Sequence, residues 1–213
     1  RLESVYGITG TALSFFRSYL SDRSQVVSVR GCYSEPSALA YGVPQGSVLG
    51  PILFLLYTQP LSQIVSKHQV SHHMFADDTE LYKTSPRDNI PSLLEAMQSC
   101  TTDVKLWTIQ NKLQLNEEKT EAFFVATSHS SSFPTSMKIG QHDISFTGSA
   151  RNLGVVFDDT LSMVDQVNKI CQVCYIEIRK IASIRHYLTT DATKTLITSL
   201  VISRLDYCNS LLV

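Results

Sequence analysis

The sequence predicts an α+β fold: a small, mainly antiparallel sheet with helices packed on it, then a helical tail. Three observations predict it. Strand signals separated by turn residues recur in pairs at 25–41 and 70–82. Apolar residues at helical spacing dominate 52–65 and 88–109. Residues 162–207 read as two further helices with no strand between them.

In chain order, 4–20 is expected to form a helix, with Thr11 capping its main part and Leu13, Phe16, Tyr19 and Leu20 as its apolar stripe. Val26, Val27 and Val29 favour a strand over 25–30, and 37–41 is a second strand that pairs with it as a hairpin. Gly42 to Pro51 holds three glycines and two prolines, which impose a special backbone path. Ser47 is an N-cap residue and Pro51 suits the first turn of the helix that follows. That helix, 52–65, is apolar nearly all round and is expected to be buried, with Pro60 kinking or ending its first part. Asp88-Asn89 opens a long helix to about Ile109, striped by Leu93, Leu94, Met97, Val104, Leu106 and Trp107.

Residues 111–119 form a polar turn, and 121–127 a strand. The serine-rich stretch 128–136 is expected to be a flexible loop. Residues 137–139 and 144–146 make a small hairpin around Gly140, and 152–157 is one more strand. Thr160 or Ser162 caps a helix to about Tyr187, and Asp191 begins the last helix, to about Tyr207.

Composition bounds the class. The 213 residues suit one domain, or one domain plus a smaller appendage. With 43% hydrophobic and 17% charged residues, global disorder is excluded. The net charge of -1 hides a distribution: residues 1–34 carry +2, 35–162 carry -5 and 163–213 carry +2. An acidic middle between basic flanks fits a cation site between surfaces that meet phosphates. Five scattered cysteines make no disulfide framework, which points to a reducing, intracellular compartment, nucleus or cytoplasm. No run approaches the ~18 apolar residues of a membrane span.

Chemistry concentrates at Phe75-Ala76-Asp77-Asp78. Two short strand-like runs flank the acidic pair, so both aspartates fall at a turn. Adjacent carboxylates repel unless a cation lies between them, and divalent cations take oxygen ligands. A solvated turn is the competing reading. Likewise the Gly42–Pro51 stretch is either a plain loop into a core helix or bare backbone against which a nucleotide or template strand lies. Lys119, in the polar turn, is either solvated or a cation near a phosphate. Cys171 and Cys174 have zinc-knuckle spacing, but no second ligand pair follows and they read as small buried thiols. His72 and His73 point to opposite faces of a strand, so they are not joint ligands of one metal.

Taken together, Pro44-Gln45-Gly46 with its apolar helix, Phe75-Ala76-Asp77-Asp78, Leu115-Asn116-Glu117-Glu118-Lys119-Thr120 and Asn152-Leu153-Gly154 come in an order and at distances that resemble the reverse transcriptase of LINE-type (non-LTR) retrotransposons. The likeness runs over essentially the whole chain. It implies a right-hand polymerase, with a partial palm over 1–160 and the start of a helical thumb over 161–213. It implies an RNA template, a DNA primer and dNTP as partners, with no membrane.

Asp77 and Asp78 match the palm's metal-holding hairpin, which takes Mg²⁺, with Mn²⁺ as an alternative. In such sites two ions about 3.5–4 Å apart activate the primer 3′-hydroxyl and stabilise pyrophosphate. Pro44, Gln45 and Gly46 match the stretch at template and incoming nucleotide. Phe75 stands beside the primer end, where many relatives have Tyr. Lys119 matches a basic residue proposed to protonate pyrophosphate, and Gly154 the segment supporting the primer.

The family carries another metal-binding Asp upstream of the first helix, and Glu3 and Asp22 lack its apolar strand context. The chain therefore reads as a piece from mid-palm to early thumb that binds Mg²⁺ weakly and does not extend a primer alone. A non-catalytic nucleic-acid-binding relic of a retroelement is the alternative function. A palm-like nucleotide cyclase or nucleotidyltransferase is a third, and it does not require the Pro44-Gln45-Gly46 turn.

Overall fold

The computed structural model describes residues 1–126, 134–140 and 142–212. It divides into two compact units, Arg1–Asn116 and Glu117–Val213. Both mix helices with short, mainly antiparallel ladders, as an α+β chain should. Instead of one sheet, the described strands form four two-stranded ladders and one three-stranded sheet.

The first unit opens with turns and then α1 (Gly10–Leu20), whose N-cap position is Thr9, without a side-chain capping bond, and not the expected Thr11, which lies inside the helix. The helix starts later than the apolar pattern suggested, because Gly7 and Gly10 both take positive φ, +66° and +59°. The expected single hairpin is two nested ladders. β1 (Arg23–Gln25) pairs with β4 (Ser37–Leu39), and inside it β2 (Ser28–Val29) pairs with β3 (Cys32–Tyr33).

Helix α2 (Leu49–Thr58) ends where Pro60 takes the first position of α3 (Pro60–Lys67). The expected burial of α2 does not hold. Leu53 is buried, but Ile52 and Leu55 stay about half exposed, at 52% and 49%. Apolarity states what a helix face is able to bury, and this unit supplies cover on one side only.

β5 (Ser71–Phe75) and β6 (Asp78–Tyr82) form the second hairpin, followed by α4 (Ile90–Gln110). Leu61 and Val65 of α3 meet Cys100 and Val104 of α4, each pair one helical turn apart. Val70 completes that core, and Met74, Leu81, Met97 and Trp107 pack around it. The α4 stripe is therefore narrower than expected, and Leu106 faces outward. Arg1 reaches the ends of both α2 and α4: its guanidinium donates to the Tyr57 carbonyl at 2.7 Å and to Asn111 Oδ1, and it lies over the Tyr57 and Trp107 rings.

In the second unit the strand expected at 121–127 is reduced to β7 (Ala122–Phe123). The serine-rich loop lies outside the described residues over 127–133. β8 (Ser136–Ile139) and β9 (His142–Thr147) form the expected hairpin, and β7 adds to β9 in parallel. The single strand expected at 152–157 is a hairpin of β10 (Ser149–Asn152) and β11 (Val155–Asp158). Leu153 and Gly154, at φ +44° and +90°, make its turn.

The N-cap of α5 (Val164–Ile184) is Met163, not Thr160 or Ser162, although Ser162 Oγ accepts from Val164 N at 3.4 Å. Both hydroxyls serve Asp158. Its buried carboxylate accepts from Thr160 Oγ1 at 2.7 Å, Ser162 N at 2.8 Å, Met163 N at 2.7 Å, and more weakly from Thr160 N and Ser162 Oγ. The Thr160 hydroxyl and then the Ser162 amide hold its pKa well below the usual carboxylate range.

The last expected helix is α6 (Thr190–Ile197), capped by Thr189, then a π-helical turn (Thr198–Ile202) and α7 (Ser203–Asp206). Cys174 is buried as expected, but Cys171 is exposed. Among the described residues no helix is long and apolar enough to cross a membrane.

Candidate active site

The acidic pair lies at the tip of the β5–β6 hairpin. The ladder runs from Ser71 opposite Tyr82 to Phe75 opposite Asp78, so Ala76 and Asp77 are the two turn residues. Ala76 has φ +52°, the left-handed conformation such tight turns require. Side chains opposite each other share a face. One face carries His72, Met74, Thr79 and Leu81, and Met74 and Leu81 pack on the core. The other carries His73, Phe75, Asp78 and Glu80, with Phe75 57% exposed.

His72 and His73 do point opposite ways, and His72 Nε2 meets Ser62 Oγ at 2.8 Å. Asp77 and Asp78 are exposed, and neither carboxylate has a hydrogen-bond or ion-pair partner among the described residues. Two negative groups are thus held side by side in solvent.

Pro44, Gln45 and Gly46 belong to the same unit and precede α2. Ser47 Oγ donates to the Pro44 carbonyl at 2.7 Å and accepts from Gly50 N at 3.1 Å. Ser47 therefore serves the helix start although Val48 is the N-cap residue. Gly50 has a packing role that spacing alone did not reveal: a Cβ there would lie 3.1 Å from Ser47 Oγ and 3.4 Å from the Pro44 oxygen. Gly46 is needed for its φ of +77°, since a Cβ would meet nothing within 4 Å. Bare backbone is consequently presented to solvent there, beside an exposed Gln45.

Lys119 closes a short 3₁₀ turn, Glu117–Lys119, in the second unit. Gly154 is in that unit too; Tyr207 donates its hydroxyl to the Leu153 carbonyl at 2.6 Å and packs its ring 3.4 Å from where a Gly154 Cβ would lie.

A model of the reverse transcriptase (RNA-dependent DNA polymerase) family matches residues 7–202. The chain belongs to the reverse transcriptase family. Its relatives are mobile-element proteins, in line with the LINE-type motifs. It is 28% identical over 187 residues to the probable RNA-directed DNA polymerase from transposon BS of Drosophila melanogaster, covering 84% of this chain and 20% of that protein. It is 31% identical over 109 residues to the RNA-directed DNA polymerase from mobile element jockey of the same fly, covering 48% and 12%. A third, the probable RNA-directed DNA polymerase from transposon X-element, is 27% identical over 158 residues, covering 72% and 17%. The chain spans a fifth or less of the length of these curated relatives. No solved structure matches it.

Reverse transcriptases as a family use divalent metal ions, and the donors here are of the right kind. Asp77 and Asp78 offer hard carboxylate oxygens with no competing partner among the described residues. Among the described residues no group of three or more His, Cys, Asp or Glu side chains is placed to hold a metal. The pair supplies two hard oxygen donors of the kind Mg²⁺ or Mn²⁺ takes, and further ligands would come from water or phosphate.

Proposed function

We propose that this chain is the metal-holding part of an RNA-directed DNA polymerase that joins dNTP to a primer 3′-hydroxyl on an RNA template. The observation that carries the reading is the solvent-facing Asp77–Asp78 pair, unpartnered among the described residues, at a two-residue hairpin turn in a reverse transcriptase chain. In this reading residues 1–160 are the partial palm and 161–213 begin the thumb. The protein works inside the cell, in nucleus or cytoplasm.

Asp77 and Asp78 would hold Mg²⁺, or Mn²⁺ in its place. The ion supplies Lewis-acid polarisation of phosphoryl oxygens and neutralises their charge. The protein supplies position and electrostatics, the main needs of phosphoryl transfer. Phe75, opposite Asp78 and exposed beside it, offers an apolar ring to the sugar and base at the primer end. Gly46 and the Pro44-Gln45 segment offer open backbone and one amide to template and nucleotide. By its motif alone, Lys119 would be the residue that protonates pyrophosphate.

Filter binding of an RNA–DNA template-primer tests the proposal, with and without Mg²⁺. Affinity that rises with metal, and loses that rise in Asp77→Asn, supports it. Affinity indifferent to metal favours the non-catalytic relic instead.

A further inference from the structure

We propose that Lys83, with His68 and Asp103, clamps the base of the β5–β6 hairpin and thereby fixes the register that presents Asp77 and Asp78. These are positioning residues. The inference rests on the reading of that pair as the cation site.

The hairpin needs such a device. It pairs with no other described strand, and an isolated two-stranded ladder is marginal in water. Its register also decides its chemistry. Asp78 lies on the face with Phe75, away from Met74 and Leu81. A slip of one residue in β6 would turn Asp78 towards the core face and Thr79 away from it. Apolar contact alone guards weakly against this, because only Met74 and Leu81 of the ladder pack on the core.

The polar ties sit at the other end of the ladder. Lys83 directly follows Tyr82, the partner of Ser71 in the last ladder pair. Its ammonium reaches back across that pair and donates to the Gln69 carbonyl at 2.8 Å and the His68 carbonyl at 3.1 Å. Both carbonyls reach one donor because Gln69 takes φ +54° as the chain leaves α3. A one-residue shift of β6 would move Lys83 by about 3.3 Å, enough to break both bonds.

The second tie joins the same corner to α4. His68 Nε2 meets Asp103 Oδ2 at 2.8 Å, with the His68 side chain only 19% exposed. Asp103 lies one turn beyond Cys100, which is fully buried in the core. The corner where α3 becomes β5 is thus held by a cation from β6's end and an anion from α4.

The test uses the whole chain, read by NMR. Lys83→Met should speed amide exchange of residues 72–81 roughly 10- to 100-fold, the weight of hydrogen bonds from a charged donor, and leave 97–107 of α4 unchanged. Mn²⁺ should broaden the Asp77 and Asp78 amide signals in the unaltered chain, less so in Lys83→Met, and again fully in Lys83→Arg. Asp103→Asn should act in the same direction more weakly, and it carries the test should Lys83→Met not fold.

Unchanged exchange and broadening in these variants would overturn the clamp and leave the reverse transcriptase reading intact. A uniform rise in exchange across the unit would overturn the positioning role in favour of general stability. Absence of broadening in the unaltered chain would instead overturn the cation site, while exchange at 72–81 still judges the clamp.

Discussion

Phe75 and Asp78 stand opposite each other as the last paired residues before the turn, on the hairpin face turned away from the core. An aromatic ring and a carboxylate are thereby fixed side by side in solvent. That pairing places Asp77 in the turn itself, so the two neighbouring carboxylates are carried by different backbone environments.

The first prediction concerns this pair. With two protein carboxylates, Mg²⁺ binding to the chain should be weak, on the order of millimolar, since affinity follows ligand charge and number. Isothermal titration should show it vanish in the Asp77→Asn, Asp78→Asn double variant. In a polymerase carrying this segment, either single substitution should lower primer extension by roughly 10²–10³-fold or more.

Gly154→Ala should destabilise the second unit. Its φ of +90° suits glycine, and the added Cβ would press on Tyr207 at 3.4 Å. A loss of about 1–3 kcal/mol is expected from urea unfolding, the usual cost of a residue held in a sparsely populated conformation.

Asp158 gives the second unit an acid-sensitive joint. Its folded pKa lies below the ordinary value of 3.8, so its stabilising contribution is complete above that value and fades as pH falls below it. Thermal melts should show Asp158→Asn less stable than the unaltered chain at pH 6. The gap between them should narrow by pH 3.

Cysteine labelling should divide sharply. Burial, and then the nearby Asp103 carboxylate, push the Cys100 thiol up to about 11. At pH 8 it should react roughly a hundredfold or more slowly than the exposed Cys32 and Cys171, because the thiolate is the nucleophile. Peptide mass spectrometry after a timed alkylation reads this directly, and unfolding should abolish the difference.

Val65, 1% exposed at the centre of the first core, is the position where truncation should cost most for its size. Val65→Ala is expected to remove about 2 kcal/mol, measured by urea unfolding of the chain.

Much of the fold was legible where local signals and tertiary demands agree. Pro60 divides α2 from α3 because it lacks an amide proton and suits a first helical turn. The α4 stripe marks a helix because Met97, Val104 and Trp107 recur at its period. The strand–turn–strand around Asp77 was readable from its flanking runs. The errors fall where one local pattern serves two structures. Asn152 to Phe157 looks like one strand, yet a positive φ at Leu153 and Gly154 folds it back on itself. Thr160 and Ser162 have capping chemistry, but both hydroxyls donate to the buried carboxylate of Asp158, and Met163 takes the N-cap position.

The sequence by itself determined the family, the α+β class and the acidic turn, because motif order and hydrophobic period are properties of the chain. Tertiary structure alone decided which face of the hairpin carries Asp78, that α2 stays half open, and that Lys83 and Asp103 meet the α3–β5 corner. The last of these depends on contacts between residues 14 to 35 positions apart, and no local pattern encodes which distant side chain arrives.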